Sequence, residues 1–243
     1  MRPTTNTNTK AIILAGGMGT RLSHLVQDVP KPMAKVCGRP FLERVISSLK
    51  NQGLKDVVLC VGHKGQYIKN HFKKGGGFGV KIEYTIEKKL LGTGGAIRLA
   101  SKKCELGTNF FVLNGDCFFD IDYNALMKAH LSSGGIGTIA LANYRNPERF
   151  GIILLASNGQ IVKFEEKKKI NGNALINAGV YVFSKKIFDY FPKKHNISLE
   201  SDIFPKLVKQ QLYGYASDAY FIDIGIEIDF LKAQDDFRKS KFV

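Results

Sequence analysis

The chain has 243 residues, 44% of them hydrophobic, and a formal net charge of +15; that suits one large α/β domain or two small ones around a proper core. No apolar run approaches the length of a membrane span. The five histidines and four cysteines lack zinc-ligand spacing, and the widely spread lysines accompany no recognition helix, RNA-binding aromatic strand or zinc finger.

A basic field that concentrates phosphorylated substrates accounts for the charge, with weak non-specific nucleic-acid binding at low salt as a by-product. In chain order, Met1 to Thr9 reads as a flexible polar tail, neither a signal peptide nor an amphipathic targeting helix. The expected location is therefore the cytoplasm. An apolar strand over residues 11–15 then ends in Gly16-Gly17-Met18-Gly19-Thr20-Arg21-Leu22. Glycines let backbone N–H groups approach phosphates, and successive amides in such a turn form an anion-binding nest. Arg21 and Lys31, the latter within Lys31-Pro32-Met33, add the positive charge that a polyphosphate needs. No Gly-Lys-Ser/Thr occurs, so this is not a P-loop. Leu22 stands where a dinucleotide fingerprint needs its third glycine, and the second strand runs into Gly62-His63 without an acid. A nucleoside triphosphate site opening an enzyme remains.

Helical spacing over 40–50 stops at Gly53, and further helices are predicted over 94–103 and 123–132. Between them lie apolar, β-branched runs at 57–61, 81–87 and 110–114, with Gly75 to Gly79 as a flexible connection. This alternation predicts a mostly parallel sheet covered by helices. The runs at 138–144, 151–155, 161–165, 176–183 and 219–224 are more closely spaced, with an Asn158-Gly159 turn, and predict antiparallel elements built onto the first half. Cys37, Cys60, Cys104 and Cys117 read as reduced, mostly buried thiols. Phe41, Phe110, Phe111, Phe183 and Phe191 read as core.

Asp116 and Asp223 each terminate an apolar strand, where a carboxylate is costly unless something uses it. Brought together, they offer hard oxygen ligands for Mg²⁺, with phosphate oxygens and water completing an octahedron. Taken singly, Asn114-Gly115-Asp116 is also a tight turn and Asp223 a helix cap.

These motifs, with Leu91-Gly92-Thr93-Gly94-Gly95-Ala96, Phe164-Glu165-Glu166-Lys167, Asn177-Ala178-Gly179-Val180-Tyr181 and Phe221-Ile222-Asp223-Ile224-Gly225, make the chain resemble the sugar-1-phosphate nucleotidylyltransferases from residue 11 to about 235. Within that superfamily it is most similar to the short D-glycero-α-D-manno-heptose 1-phosphate guanylyltransferases. The softer cues are Asp28 to Ala34, Ser198-Leu199-Glu200, the ending at Ile226 and the short length.

The resemblance implies an α/β fold: a Rossmann-like mixed, mainly parallel sheet flanked by helices, with a smaller antiparallel sugar-binding lobe. It divides the chain into a nucleotide lobe (about 10–135), a sugar-phosphate lobe (about 136–225) and a C-terminal helix (about 226–240). It implies that a sugar 1-phosphate attacks the α-phosphorus of a nucleoside triphosphate in line, pyrophosphate leaving, with no protein nucleophile. Nucleotide contacts fall on Leu14, Ala15, Gly16, Gly17, Gly19, Thr20, Arg21, Lys31, Gly115 and the Gly92-Thr93 loop. Arg21 and Lys31 serve the phosphates, Asp116 and Asp223 hold Mg²⁺, and Lys167 holds the sugar phosphate. Glu166 and Asn177 bond sugar hydroxyls, and Gly151 allows close backbone approach. Ser198 instead reads as a helix cap, which leaves Glu200 outside the site.

The implied pair is GTP with the heptose 1-phosphate, feeding a surface polysaccharide. Mannose 1-phosphate with GTP, a uridylyltransferase of an N-acetylated sugar phosphate, and an inactive nucleotide-binding regulatory subunit stay open. No specific nucleic-acid or membrane partner is implied, and a homo-oligomer is compatible with the sequence. Two departures from the family stand out: Ile226-Glu227 follows Asp-Ile-Gly where a proline is common, and Lys168 replaces another proline. The first predicts a looser last helix.

Glu87 ends the strand before the Gly92 loop, where its carboxylate is placed to accept from both N1–H and the exocyclic amine of guanine. Glu87→Gln is expected to lose the preference for GTP over UTP in a competition assay; an unchanged preference would leave Glu87 a surface residue.

Overall fold

The computed structural model describes residues 9–17, 28–148, 150–165 and 172–239. After β1 (Ala11–Ala15) come a 3₁₀ turn at Lys31–Met33 and a hairpin of β2 (Lys35–Val36) and β3 (Arg39–Pro40). Next are α1 (Phe41–Asn51), β4 (Asp56–Val61), α2 (Gly65–Phe72), β5 (Lys81–Ile86), α3 (Gly92–Lys103) and β6 (Asn109–Asn114). The second half runs β7 (Cys117–Phe119), α4 (Tyr123–Ser133), β8 (Gly137–Arg145), β9 (Ile152–Leu155), β10 (Ile161–Glu165) and β11 (Asn173–Ser184). A π-helical turn at Leu199–Ile203 leads into α5 (Phe204–Leu207), β12 (Leu212–Ser217), β13 (Phe221–Asp223) and α6 (Glu227–Lys239).

One nine-stranded sheet organises these elements in the order β10-β9-β11-β6-β1-β4-β5, with β8 on β11 and β12 on β8. The first-half strands β6, β1, β4 and β5 pair in parallel, as the strand–helix alternation predicts. β11 joins β6 antiparallel, and β8, β9 and β10 extend that antiparallel half. The Asn158-Gly159 turn closes β9 onto β10, with Gly159 at φ +81°. β12, by contrast, runs parallel to β8.

Successive strand residues face opposite layers, and the core obeys that period. Ala11, Ile13, Ala15, Leu59 and Leu113 meet α1, α2, α4 and α6 on one face. Ile12, Val58, Cys60 and Val112 meet α3 and α5 on the other. Phe41, Phe110, Phe111 and Phe183 are fully buried, whereas Phe191 is half-buried against Phe188. All four cysteines are free thiols, three of them buried. Among the described residues no helix is long and apolar enough to cross a membrane.

Several local expectations need correction. Gly75 to Gly79 is an ordered turn: Phe78 N–H donates to Gly75 and the Phe78 ring packs on Phe72 and His71. Gly92 and Thr93 open α3 itself rather than a loop. The run at 219–224 forms only the short β13, which leaves the main sheet to pair with β7. α2 and β12 are not among the predicted elements: both are short, α2 burying only Gly65, Ile68 and Phe72 and β12 only Leu212. α6 forms without the missing proline. Gln234 accepts from Cys37 N–H (2.7 Å) and donates to Lys35 C=O (2.7 Å), while Phe237 packs on Phe41, Phe118 and Tyr220.

The seam between the two halves is a bulge in β11, where the register to β8 shifts between Asn177 and Tyr181. Gly179 takes φ +69°, and a Cβ there would stand 2.7 Å from Asn114 Nδ2. Gly179→Ala combines left-handed backbone strain with that clash and is expected to destabilise the fold by about 1–3 kcal/mol, measured by denaturant unfolding.

Candidate active site

Parallel register sets the site. Leu14 lies opposite Asn114 at the ends of β1 and β6, so Gly16-Gly17 and Gly115-Asp116 leave the sheet side by side. Ligands in open α/β sheets bind at this carboxyl edge. Gly115 N–H donates to Leu14 C=O at 2.9 Å, and a Cβ on Gly115 would lie 2.9 Å from that oxygen.

A cleft of about 310 Å³ opens there. Of the residues singled out above, Leu14, Ala15, Gly16, Gly17, Lys31, Glu87, Gly92, Thr93 and Asp116 line it. Pro32, Leu90, Ala96 and Asn114 also line it and were not singled out as site residues. Asn114, Pro32 and Ala96 had a signal, as members of the Asn-Gly-Asp, Lys-Pro-Met and Gly92–Ala96 motifs; Leu90 had none, since an apolar cleft wall looks like core. Gly19, Thr20, Arg21, Glu166 and Lys167 lie outside the described residues.

Gly16 is held to glycine by its neighbours in the chain. Its absent Cβ would fall 2.7 Å from Glu87 Oε1 and 3.3 Å from Gly62 N, while Gly17 has open space. Glu87 follows β5, with its N–H donating to Val61 C=O at 2.8 Å. Its carboxylate turns into the cleft and accepts from Leu91 N–H at 3.2 Å. Burial raises the Glu87 pKa above the ordinary glutamate value, opposed by that N–H.

The 3₁₀ turn buries Pro32 and Met33, leaving Lys31 directed at the Asp116 carboxylate in a direct ion pair. Burial lowers the Lys31 pKa, but Asp116 through charge and hydrogen bond, with Asp223 behind it, raises it above the ordinary 10.5. The second acid arrives by the ribbon of β7 and β13, where Asp223 lies directly opposite Cys117 and Ile224 N–H donates to Asp116 C=O at 3.0 Å. Asp223 Oδ1 accepts from Gly225 N–H at 2.6 Å.

Donor atoms of Asp116, Cys117 and Asp223 all lie within 4.8 Å of one another. Burial, then the two carboxylates, holds the Cys117 thiol well above its usual range, so it stays protonated. The effective donors are two hard carboxylates, a set that fits a hard dication such as Mg²⁺ or Mn²⁺.

On the second-half side, Asn177 accepts from Gly179 N–H at 2.9 Å and donates to Tyr181 Oη at 3.0 Å. An amide within this strand is therefore paired with the chain itself. Gly151 is exposed just before β9. Glu200, left out on sequence grounds, accepts from the Thr93 hydroxyl at 3.2 Å and so touches the cleft wall. Ser198 caps its turn, its hydroxyl accepting from Ser201 N–H at 3.1 Å.

Comparison with known proteins adds a family. Residues 10–240 match the model described as "Nucleotidyl transferase". The chain is 41% identical over 221 residues to a D-glycero-alpha-D-manno-heptose 1-phosphate guanylyltransferase of Campylobacter jejuni, covering 91% of this chain and 96% of that protein. It is 38% identical to the protein of the same description from Aneurinibacillus thermoaerophilus, covering 94% and 98%. Among solved structures, HddC from Yersinia pseudotuberculosis complexed with GMP-PN superposes with a TM-score of 0.84 at 35% identity, covering 94% of this chain and 99% of that one.

The ion pair makes a prediction with a definite sign. The folded Lys31 pKa lies above its unfolded value, so its stabilising contribution is complete below about pH 10.5 and is lost as pH rises through the folded value. Asp116→Asn leaves burial as the larger influence, and the Lys31 pKa is expected to drop below 10.5 in a ¹⁵N-lysine NMR titration. An unshifted titration would show that Asp116 does not hold the ammonium.

Proposed function

The chain belongs to the nucleotidyl transferase family, and from that premise we propose that it transfers GMP from GTP to D-glycero-α-D-manno-heptose 1-phosphate, releasing pyrophosphate. The observation that carries this reading is one cleft edge where Gly16-Gly17, a half-buried Lys31 and Asp116 meet, with Asp223 beside Asp116. Its support in substrate choice is the similarity, over nearly full length, to proteins described as guanylyltransferases of that heptose phosphate.

In this reading residues of about 10–135 handle the nucleotide and those of about 136–225 the sugar phosphate. The amides from Leu14 through Gly17 and on to Gly19 cradle the triphosphate, with Thr20 and Gly115 beside them. Arg21 and Lys31 neutralise charge on the phosphates and on the departing pyrophosphate. Gly92 and Thr93 border the base and ribose, and the Glu87 carboxylate accepts from the Watson–Crick edge of guanine. Lys167 holds the sugar phosphate so that its oxygen attacks the α-phosphorus in line; the new P–O bond forms as the bond to pyrophosphate breaks. Glu166 and Asn177 bond sugar hydroxyls, and Gly151 lets the backbone approach the sugar. Asp116 and Asp223 would hold Mg²⁺, whose contribution is charge neutralisation on the attacking and leaving oxygens. With Lys31 already on Asp116, nucleotide phosphates compete for that ammonium as they enter. In this reading the enzyme works in the cytoplasm on soluble substrates.

Pyrophosphate release should be measured with Mg²⁺ for four nucleoside triphosphates, each paired with heptose, mannose, glucose and N-acetylglucosamine 1-phosphates. GTP with the heptose phosphate is expected to dominate, with Asp116→Ala abolishing turnover. A different productive pair would overturn the substrate assignment and keep the chemistry. Silence from a folded chain that still binds nucleotide would replace the enzyme with a regulatory protein.

A further inference from the structure

The first turn of α3 forms one wall of the cleft through Gly92, Thr93 and Ala96. A segment about a hundred positions later grips that turn. Ile197 C=O accepts from Gly94 N–H (2.8 Å) and Gly95 N–H (3.2 Å), and Ile197 N–H donates to Leu91 C=O at 2.8 Å. The approach is so close that a Cβ on Gly92 would lie 2.5 Å from Ile197 O, and one on Gly94 2.7 Å from the Ile197 side chain. These glycines are therefore required by chain packing.

The grip ends in side chains. Thr93 Oγ1 accepts from Leu199 N–H at 2.8 Å and donates to Glu200 Oε2 at 3.2 Å. Ser198 donates its hydroxyl to the same Oε2 at 2.9 Å. One carboxylate oxygen thus fixes two hydroxyls, one of them in the cleft wall. At the other end of the turn, Leu91 N–H is held by Glu87, which links the base side of the cleft to the same helix start.

We infer that Glu200 is a positioning residue, which sets the nucleotide-facing wall at Thr93 from the second half of the chain. This rests on the reading of the cleft as a nucleotide site. In the sequence Ser198 reads as a cap and Glu200 falls outside the site, because the partner of Glu200 lies 107 positions away. After burial, the Glu200 charge is the leading influence raising the pKa of the Tyr181 hydroxyl, which accepts from Asn177.

The test is calorimetric binding of α,β-methylene-GTP, which needs no turnover, to the full chain and to Glu200→Ala, Glu200→Gln, Thr93→Val and the Glu200→Ala/Thr93→Val double variant. Glu200→Ala is expected to weaken binding about tenfold. Glu200→Gln, whose amide oxygen still accepts both hydroxyls, should recover most of that loss. The double variant should be no weaker than Thr93→Val, as expected of groups acting as one unit. Wild-type affinity in Glu200→Ala, a glutamine variant as weak as alanine, or additive losses would each overturn the inference. A wild-type chain that takes up no analogue would fail the guanylyl reading along with it, whereas wild-type binding with an unaltered Glu200→Ala fails this inference alone. Thermal midpoints of the variants separate lost positioning from lost folding: a fall in Glu200→Ala matching its binding loss would overturn the inference.

Discussion

Two carboxylates held in one half-buried corner impose the main electrostatic constraint on this structure. The β7–β13 ribbon sets Asp223 opposite Cys117 and therefore beside Asp116, with donor atoms within 4.8 Å. At that separation and an effective dielectric of about 20, two like charges repel by roughly 3–4 kcal/mol. Lys31 offsets part of this by pairing with Asp116. The elements around the corner hold the three groups in place. The 3₁₀ turn aims Lys31, the β2–β3 hairpin follows it, and Gln234 of α6 bonds that hairpin at both Lys35 and Cys37. Phe237 then packs α6 onto Phe118 of β7 and Phe41 of α1. The last helix thus ties the lysine-bearing turn to the acid-bearing ribbon.

β11 plays the corresponding part for the sheet. Its first half pairs with β8 and touches β9, and its second half pairs with both β8 and β6. A single strand therefore carries the chain from the antiparallel half to the parallel one. The bulge at Gly179 makes the change of partners geometrically feasible, since a bulge bends the strand and sharpens its twist. Asn177 stabilises the bend through Gly179 N–H and Tyr181 Oη. A residue that sequence alone assigns to sugar recognition thereby has a structural duty as well, and its remaining hydrogen-bonding capacity is what a ligand can use.

The glycines of the cleft illustrate how one residue type serves two ends. In sequence, Gly16 and Gly92-Thr93-Gly94-Gly95 suggest backbone exposed to phosphate or base. In space, Gly16 makes room for Glu87 and Gly62, and Gly92, Gly94 and Gly95 make room for the 195–197 segment. Close packing of chain on chain brings the acidic groups Glu87 and Glu200 to the cleft wall. Gly17, with open space around it, is the member of the set whose freedom faces solvent.

Local signals in the sequence determined the strand–helix alternation, the parallel first half, the antiparallel second half, and the placing of Gly16-Gly17, Asp116 and the start of the Gly92 segment just beyond strand ends. Hydrophobic period and glycine punctuation act over a few residues, so they are readable along the chain. The short elements α2 and β12, with few buried side chains, fall outside that reading. Tertiary structure alone decided that Asp223 reaches Asp116 by a separate ribbon rather than by the main sheet, and that Glu200 belongs beside Thr93. It also decided that α6 fastens the Lys31 turn through Gln234, 197 positions from Cys37. Each of these depends on contacts between distant segments, whose geometry is set by how the layers pack and leaves no mark on neighbouring residues.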